Sequence, residues 1–355
     1  MSSPKKVLLS IPPYYGIDIS IARAFEKNGI DPVLARCRYQ PYFWERTIRL
    51  LSNKMPPLKR LIQPLLKIPL VLENGEFIKA AERSKPDFIF IVKGDTLFPQ
   101  TIRHLKGKYH TPCLSYQWDD PLYSSAGQNG IDVYRRKNFE YGMHDYDHVF
   151  VFDKYHVAEI KKRGVDASYL PLATDEDVYR PIDLSDEERD EYGFDICFVG
   201  MPNDNRVEAL NRLNGFNVGV FGDFWERYLL KMPVRYFRGK ANGRRVIKIY
   251  RGSKIALNIH HPQSVHGLNT RAFDIPSCGA FQIMDYKEGV EELFDTDQEI
   301  VCYHGLEELN DLVRFYLSHP EIRSRIAEKG RQRVGQEHTW HHRIAKVMSF
   351  IYELR

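Results

Sequence analysis

The chain has 355 residues, 43% of them hydrophobic and 13% aromatic, with a formal charge of +4. Such a length exceeds one compact core and falls short of three full ones, so two α/β domains are expected. A charge this small suits anionic small ligands or a membrane surface and falls short of a dedicated nucleic-acid binder.

The first residues, Met1 to Lys6, run directly into an apolar strand, Val7–Ile11, which leaves no room for a signal-peptide core. No apolar run approaches the ~20 residues that cross a bilayer. Five cysteines (Cys37, Cys113, Cys197, Cys278 and Cys302) form no CxxC pair and read as free thiols in a reducing compartment. A cytoplasmic protein, soluble or peripheral on the inner membrane face, is expected.

Strand-like runs then alternate with helical patterns: Val7–Ile11, Pro32–Cys37, Asp87–Val92, Thr111–Tyr116, His148–Phe152 and Ala167–Leu172. This alternation predicts a parallel, doubly wound sheet. Gly16 closes the loop after the first strand, just before Asp18, and Asp119-Asp120-Pro121 follows the fourth. Between Trp44 and Leu72, six Lys and Arg residues are interleaved with Leu, Ile, Met and Trp. That stretch would suit contact with an anionic bilayer; a helix packed on the sheet is the commoner explanation.

A polar stretch between Leu172 and Phe194 marks a linker. A second cycle follows, with strands at Asp195–Val199, Asn217–Phe221, Val234–Phe237, Ile255–Ile259, Ala280–Met284 and Glu299–Tyr303. Helices are expected near Arg206–Leu213, Arg244–Tyr250, Leu306–Ser318 and Glu321–Val334. The densest information lies between Ser264 and Asp285, where a turn at Gly267 feeds a short helix that closes at Gly279. Free amides and partial positive charge at such a helix start are suited to a diphosphate.

This segment, above all Arg271-Ala-Phe-Asp274-Ile-Pro-Ser-Cys-Gly279, resembles the donor-site motif of GT-B glycosyltransferases, most closely the spore-maturation (CgeB-like) branch. The resemblance takes in Tyr169–Pro181, Tyr250–Asn258 and the run from Glu299 to Arg343. It implies two doubly wound Rossmann-like domains facing a cleft: an acceptor-side domain over 1–178, a nucleotide-sugar domain over 179–338, and a C-terminal helix, 339–355, returning to the first. It further implies a nucleoside-diphosphate-sugar donor, a glycan or lipid-linked acceptor, and no metal or other cofactor.

Related families place two glutamates, with seven residues between them, at the positions of His266 and Asp274. By carry-over Asp274 holds the ribose hydroxyls; the alternative is an aspartate on a solvated helix face. His266 departs from the pattern and is either a contact to sugar or phosphate or a satisfied loop histidine. The amides of Gly267, Leu268, Asn269 and Thr270 would take the phosphates. Met201 replaces an arginine of the family's basic pair, leaving Arg206, with Arg271 or Lys240 as the second charge; the alternative for Arg206 is a surface arginine at a helix start. Arg238 and Lys240, in a loop after a strand, are candidates for contact with the base. On the acceptor side Asp18, Asp119 and Asp120 are candidates for the general base of an inverting reaction, although Asp before Pro is also a turn former.

Three D-x-D pairs (Asp145/Asp147, Asp175/Asp177, Asp295/Asp297) and the histidines His338, His341 and His342 read as turns and helix spacing rather than as metal sites. A dinucleotide-dependent oxidoreductase is disfavoured because neither first strand is followed by G-x-G-x-x-G. A non-catalytic sugar-nucleotide-binding or coat-assembly protein stays open through the departures at Met201 and His266.

Overall fold

The structure, a computed structural model, describes residues 4–35, 67–122, 131–233 and 236–354. Cys37, most of the basic stretch beginning at Trp44, and Val234 at the head of one expected strand lie outside the described residues. Two compact units divide the chain: Met1–Pro171 with Arg343–Arg355, and Leu172–His342.

Unit 1 is a six-stranded parallel sheet of β1 (Lys6–Ser10), β2 (Asp31–Ala35), β3 (Phe88–Val92), β4 (Cys113–Gln117), β5 (His148–Val151) and β6 (Ala167–Tyr169), ordered β2-β1-β3-β4-β5-β6. Its helices are α1 (Ile17–Lys27), α2 (Ile68–Ser84), α3 (Pro99–Tyr109), α4 (Ile131–Gly142) and α5 (Lys154–Lys161). The sequence of β3, Phe-Ile-Phe-Ile-Val, is buried at every position. A run without polar alternation belongs to a strand covered on both faces, as parallel strands are. On one face Ile89, Ile91, Val149 and Val151 pack against Phe77, Ile102, Leu105 and Ile160.

Unit 2 repeats the plan with β7 (Ile196–Val199), β8 (Val218–Phe221), β9 (Ile255–Asn258), β10 (Gln282–Asp285) and β11 (Val301–Tyr303), all parallel and ordered β11-β10-β9-β7-β8. Its helices are α6 (Asp186–Tyr192), α7 (Asp204–Arg212), α8 (Arg244–Gly252), α9 (Arg271–Ser277), α10 (Leu306–Ser318) and α11 (Pro320–Glu337). The last helix, α12 (Trp340–Glu353), carries the chain from unit 2 back into unit 1. Alternate strand residues serve opposite faces. Ile196, Phe198, Val218 and Val220 meet Val207, Leu210 and Val313, whereas Cys197, Val199 and Phe221 meet Val246, Ile249 and Ile275. Each such side chain contributes about 1.5–3 kcal/mol through burial.

In both sheets the second strand lies outside the first and the third returns to its other side. The direction of winding therefore reverses between β1 and β3 and again between β7 and β9, and the loops leaving these strands diverge to leave a crevice at the carboxyl edge. Phe237, the end of the partly described run, makes a single bridge to Val220.

Among the described residues no helix is long and apolar enough to cross a membrane.

Candidate active site

At the reversal point of unit 2, local sequence places a cation. The Asn203 side chain caps α7 by accepting from the Arg206 amide at 2.9 Å, which sets Arg206 in the first turn. From there its guanidinium reaches back across the sheet edge. Nε and Nη2 donate to the Ile259 carbonyl after β9 (3.1 and 2.9 Å), and Nη1 donates to the Met201 carbonyl after β7 (2.7 Å). Only 4% of Arg206 is exposed, which removes the surface-arginine alternative. Burial, then the neighbouring Arg271 charge, pulls its pKa down to about 9, so it stays charged at neutral pH. Three of its N–H groups are thus engaged by backbone carbonyls at this sheet edge.

Arg271, the first residue of α9, lies near enough for its charge to act on Arg206. Its Nη2 lies 3.1 Å from where a Cβ on Gly200 would stand, so the guanidinium packs closely against the loop after β7. Trp225 Nε1 donates to the Gly200 carbonyl at 2.7 Å. Gly222, at φ 143°, passes so close that a Cβ on it would meet that oxygen at 2.2 Å. The start of α9 is pinned by paired amides: Asn258, the buried end of β9, and Asn269 exchange hydrogen bonds at 3.1 and 2.9 Å. Among the described residues, the N–H groups of Gly267, Leu268, Asn269, Thr270 and Arg271 donate to no backbone carbonyl. They form a donor-rich turn beside two arginines.

Asp274 lies in the first turn of α9 and is 7% exposed, so it is not on a solvated face. Its Oδ1 accepts from the Thr174 hydroxyl at 2.7 Å. Burial pushes its carboxyl up to about 7, against the opposing pull of Thr174 and Arg271. The helix ends at Gly279, which takes the left-handed conformation (φ 70°).

His266 is joined to the loop after β10: Nδ1 pairs with Glu288 at 2.6 Å, and its carbonyl accepts from Gly289 at 3.0 Å. Lys240 is exposed and paired with Asp223 at 2.9 Å. Arg238 is drawn elsewhere. Its guanidinium lies over the Phe194 ring at 5.4 Å, before β7, and lines a cavity of ≈ 390 Å³ with Tyr192, Asn217 and Arg245. Its backbone remains beside Lys240 after the bridge to Val220. Sequence reasoning missed His260 and Asp285. Asp285 Oδ1 accepts from the His260 amide at 2.8 Å and pairs with Nδ1 at 2.7 Å, fastening the ends of β9 and β10. The signal for them was their place directly after two predicted strands.

Unit 1 gathers a second group at its own carboxyl edge. Asp119 pairs with Lys93 at 2.7 Å, and the Lys93 ammonium stands 5.8 Å from the centroid of Tyr14, whose ring in turn contacts Trp118. Asp120 turns inward: Oδ1 accepts from the Leu122 amide at 2.7 Å and stands 3.6 Å from buried His156. Gly16 caps α1 in the left-handed conformation (φ 82°), and Asp18 follows in the first turn. No hydrogen bond or ion pair among the described residues joins Asp18 to the Lys93–Asp119 pair.

No cluster of three metal-ligating side chains occurs among the described residues. Asp145 and Asp147 bind Arg103 and Lys106, and Asp175 caps the Asp177 amide. His338 is held to the Leu293 carbonyl at 2.6 Å.

Comparison with known proteins agrees with this layout. The profile of the glycosyl transferase-like family matches residues 204–349, which contain Arg206, the Gly267–Thr270 turn and Asp274. Spore protein CgeB of Bacillus subtilis (strain 168) is 23% identical over 273 residues, covering 72% of this chain and 79% of that protein. Among solved structures, sucrose-phosphate synthase from Thermosynechococcus elongatus superposes with a TM-score of 0.65 at 13% identity over 99% of both chains. Anabaena HepE in complex with UDP-glucose gives 0.61 at 10% identity, over 99% of this chain and 100% of its own. The chain therefore has the GT-B fold and, over residues 204–349, is similar to the glycosyl transferase-like family.

Proposed function

We propose that the protein transfers a sugar from a nucleoside-diphosphate-sugar to a hydroxyl acceptor. One observation carries the reading: a donor-rich turn, Gly267–Thr270, stands beside Arg206 and Arg271 at the reversal point of unit 2. In this reading the diphosphate rests on those amides, the ribose on Asp274, and the base beside the loop Arg238–Lys240. His266 stands toward the transferred sugar. HepE was solved with UDP-glucose, which makes a UDP-sugar the first donor to try.

The acceptor lies against Gly16 and Asp119 in unit 1, with Asp120 and Asp18 as further carboxylates of that edge. The acceptor oxygen forms a bond to the anomeric carbon as the bond from that carbon to the diphosphate breaks. The electron pair leaves with the nucleoside diphosphate, and a carboxylate takes the acceptor's proton if the reaction inverts. Charge grows on the departing phosphate, where one well-placed donor is worth about 3 kcal/mol. The amides and arginines would supply there what a metal supplies in other transferases, so no metal or other cofactor is required. By family analogy the product belongs to a cell-surface polysaccharide or another glycoconjugate, made at the cytoplasmic side of the membrane, where a lipid-linked acceptor would be met.

A thermal-shift panel of UDP, GDP, ADP, CMP and dTDP with their sugars tests the donor, since a ligand of the folded state raises the melting temperature. One nucleotide family should stand out, and Asp274→Ala should abolish its shift. Release of free nucleotide only in the presence of acceptor extract separates transfer from a non-catalytic binding or coat-assembly role.

A further inference from the structure

The loop after β10 is fastened repeatedly to the segment that leads from β9 into the donor-rich turn. At its base Asp285 holds both the amide and Nδ1 of His260. Further along, Gly289 donates to the His266 carbonyl at 3.0 Å, and a Cβ there would meet that oxygen at 2.5 Å, so the two backbones approach closer than a side chain at 289 would allow. Glu288 Oε2 then lies 2.6 Å from His266 Nδ1. An ionised carboxylate only accepts, so Nδ1 carries the proton between them.

Stability does not account for the Glu288 contact. Its side chain is 72% exposed, and a pair so open to water contributes little to folding. What the contact does is hold an exposed carboxylate in one place. The neighbouring cation, Lys287, is directed to Asp285 instead, at 3.8 Å. Chain order then says what this carboxylate faces. Asp274 lies beyond the Gly267–Thr270 turn and His266 directly before it. With ribose on Asp274 and diphosphate on the turn, the group beyond the second phosphate falls on the His266 side, where Glu288 is held.

We infer that Glu288 sets the class of the transferred group: a neutral, hydroxylated sugar is accepted, and an anionic group, whether a uronate or a third phosphate, is turned away. The assignment rests on the glycosyl-transfer reading above. A carboxylate accepts from sugar hydroxyls at charge-assisted strength and repels a second anion. The turn and its arginines attract the diphosphate, and Glu288 marks where negative charge must end. His266 is a positioning residue, since its N–H fixes one carboxylate oxygen and leaves the other for the ligand.

Isothermal titration on the full chain in EDTA tests this, with UDP, UDP-glucose and UTP as one probe series and the corresponding guanosine, adenosine and thymidine compounds as the others. UDP-glucuronate is added to the first. In the series that binds, the glucose compound should bind at least about tenfold more tightly than the triphosphate, and UDP-glucose likewise than UDP-glucuronate if uridine is the base. Glu288→Gln should shrink that ratio to within about threefold and leave affinity for the plain diphosphate within about twofold. His266→Gln, which releases the carboxylate, should shrink the ratio part-way. Added salt should shrink it too, a response that a merely structural role would not give. A triphosphate or UDP-glucuronate bound by wild type as tightly as the glucose compound, or a ratio unchanged in Glu288→Gln, would overturn the selection, while diphosphate binding would keep the donor assignment intact. An effect of Glu288→Gln with none from His266→Gln would overturn the positioning role. If no diphosphate of these series binds, the transfer reading falls and this assignment falls with it.

Discussion

The carboxyl edges of the two sheets share one winding and carry opposite chemistry. In unit 2 the edge is stitched shut around positive charge: Arg206 ties two carbonyls, Asn258 and Asn269 lock together, His260 and Asp285 join β9 to β10, and Gly200 and Gly222 almost touch. In unit 1 the corresponding loops leave Tyr15 in solvent, Asp119 part exposed, and open space around Gly16. Topology thus fixes where ligands are received, and side chains decide which ones. A tight, charged edge suits a ligand whose diphosphate never varies; an open edge with aromatic rings suits a hydroxylated one.

The difference can be broken at graded points. Removing Arg206 (Arg206→Met) should do most damage, since it leaves buried carbonyls without donors and deletes the cation. We expect a loss of about 3 kcal/mol in chemical denaturation and of more than about 100-fold in transfer. Gly222→Ala comes next at about 2–3 kcal/mol, because the new Cβ meets backbone that cannot move aside. Its counterpart, Gly16→Ala, meets no atom within 4 Å and should cost only the left-handed strain, ~1 kcal/mol. Equal costs at the two glycines would refute the contrast between a closed and an open edge.

Asp274 gives a pH signature of intermediate size. Its folded carboxyl sits at about 7, above the unfolded value, so the native state holds a proton that the unfolded chain releases. That stabilisation is fully present below the unfolded pKa and is lost as pH rises through about 7. Ribose hydroxyls favour the ionised form, so nucleotide affinity should run the other way, falling up to about tenfold per pH unit below 7 and levelling above it. Isothermal titration of wild type against Asp274→Asn, with the same nucleotide, isolates this residue from phosphate ionisation. Smallest of all, Lys240→Ala should leave the melting temperature almost unchanged, since its pairing with Asp223 is exposed, and weaken nucleotide binding only a few-fold.

Much of the fold was legible because buried parallel strands announce themselves: Phe-Ile-Phe-Ile-Val before Lys93 and Ile-Ala-Leu-Asn before Ile259 have no other reasonable place. The turn and short helix from Gly267 to Gly279 were legible through their glycines and the family motif. What the sequence hid was direction. Arg206 looked like one more arginine opening a helix, and only the register of β7 against β9 turns it inward to Ile259. Arg238 sits beside Lys240 in the chain, yet its side chain lies over Phe194. Lys93 offered no signal beyond a Lys-Gly pair after a strand, because its position depends on a strained backbone held by Tyr116 and Gln117.

The central claim is best tested by a crystal structure of the chain soaked with UDP-glucose and, in parallel, with GDP-sugar. We predict pyrophosphate density within hydrogen-bonding distance of the amides of Gly267 to Thr270, with Arg271 alongside and the ribose on Asp274. Density for the nucleotide in the Arg238–Phe194 cavity instead, or a Gly267 turn left without ligand while the nucleotide binds in solution, would contradict it.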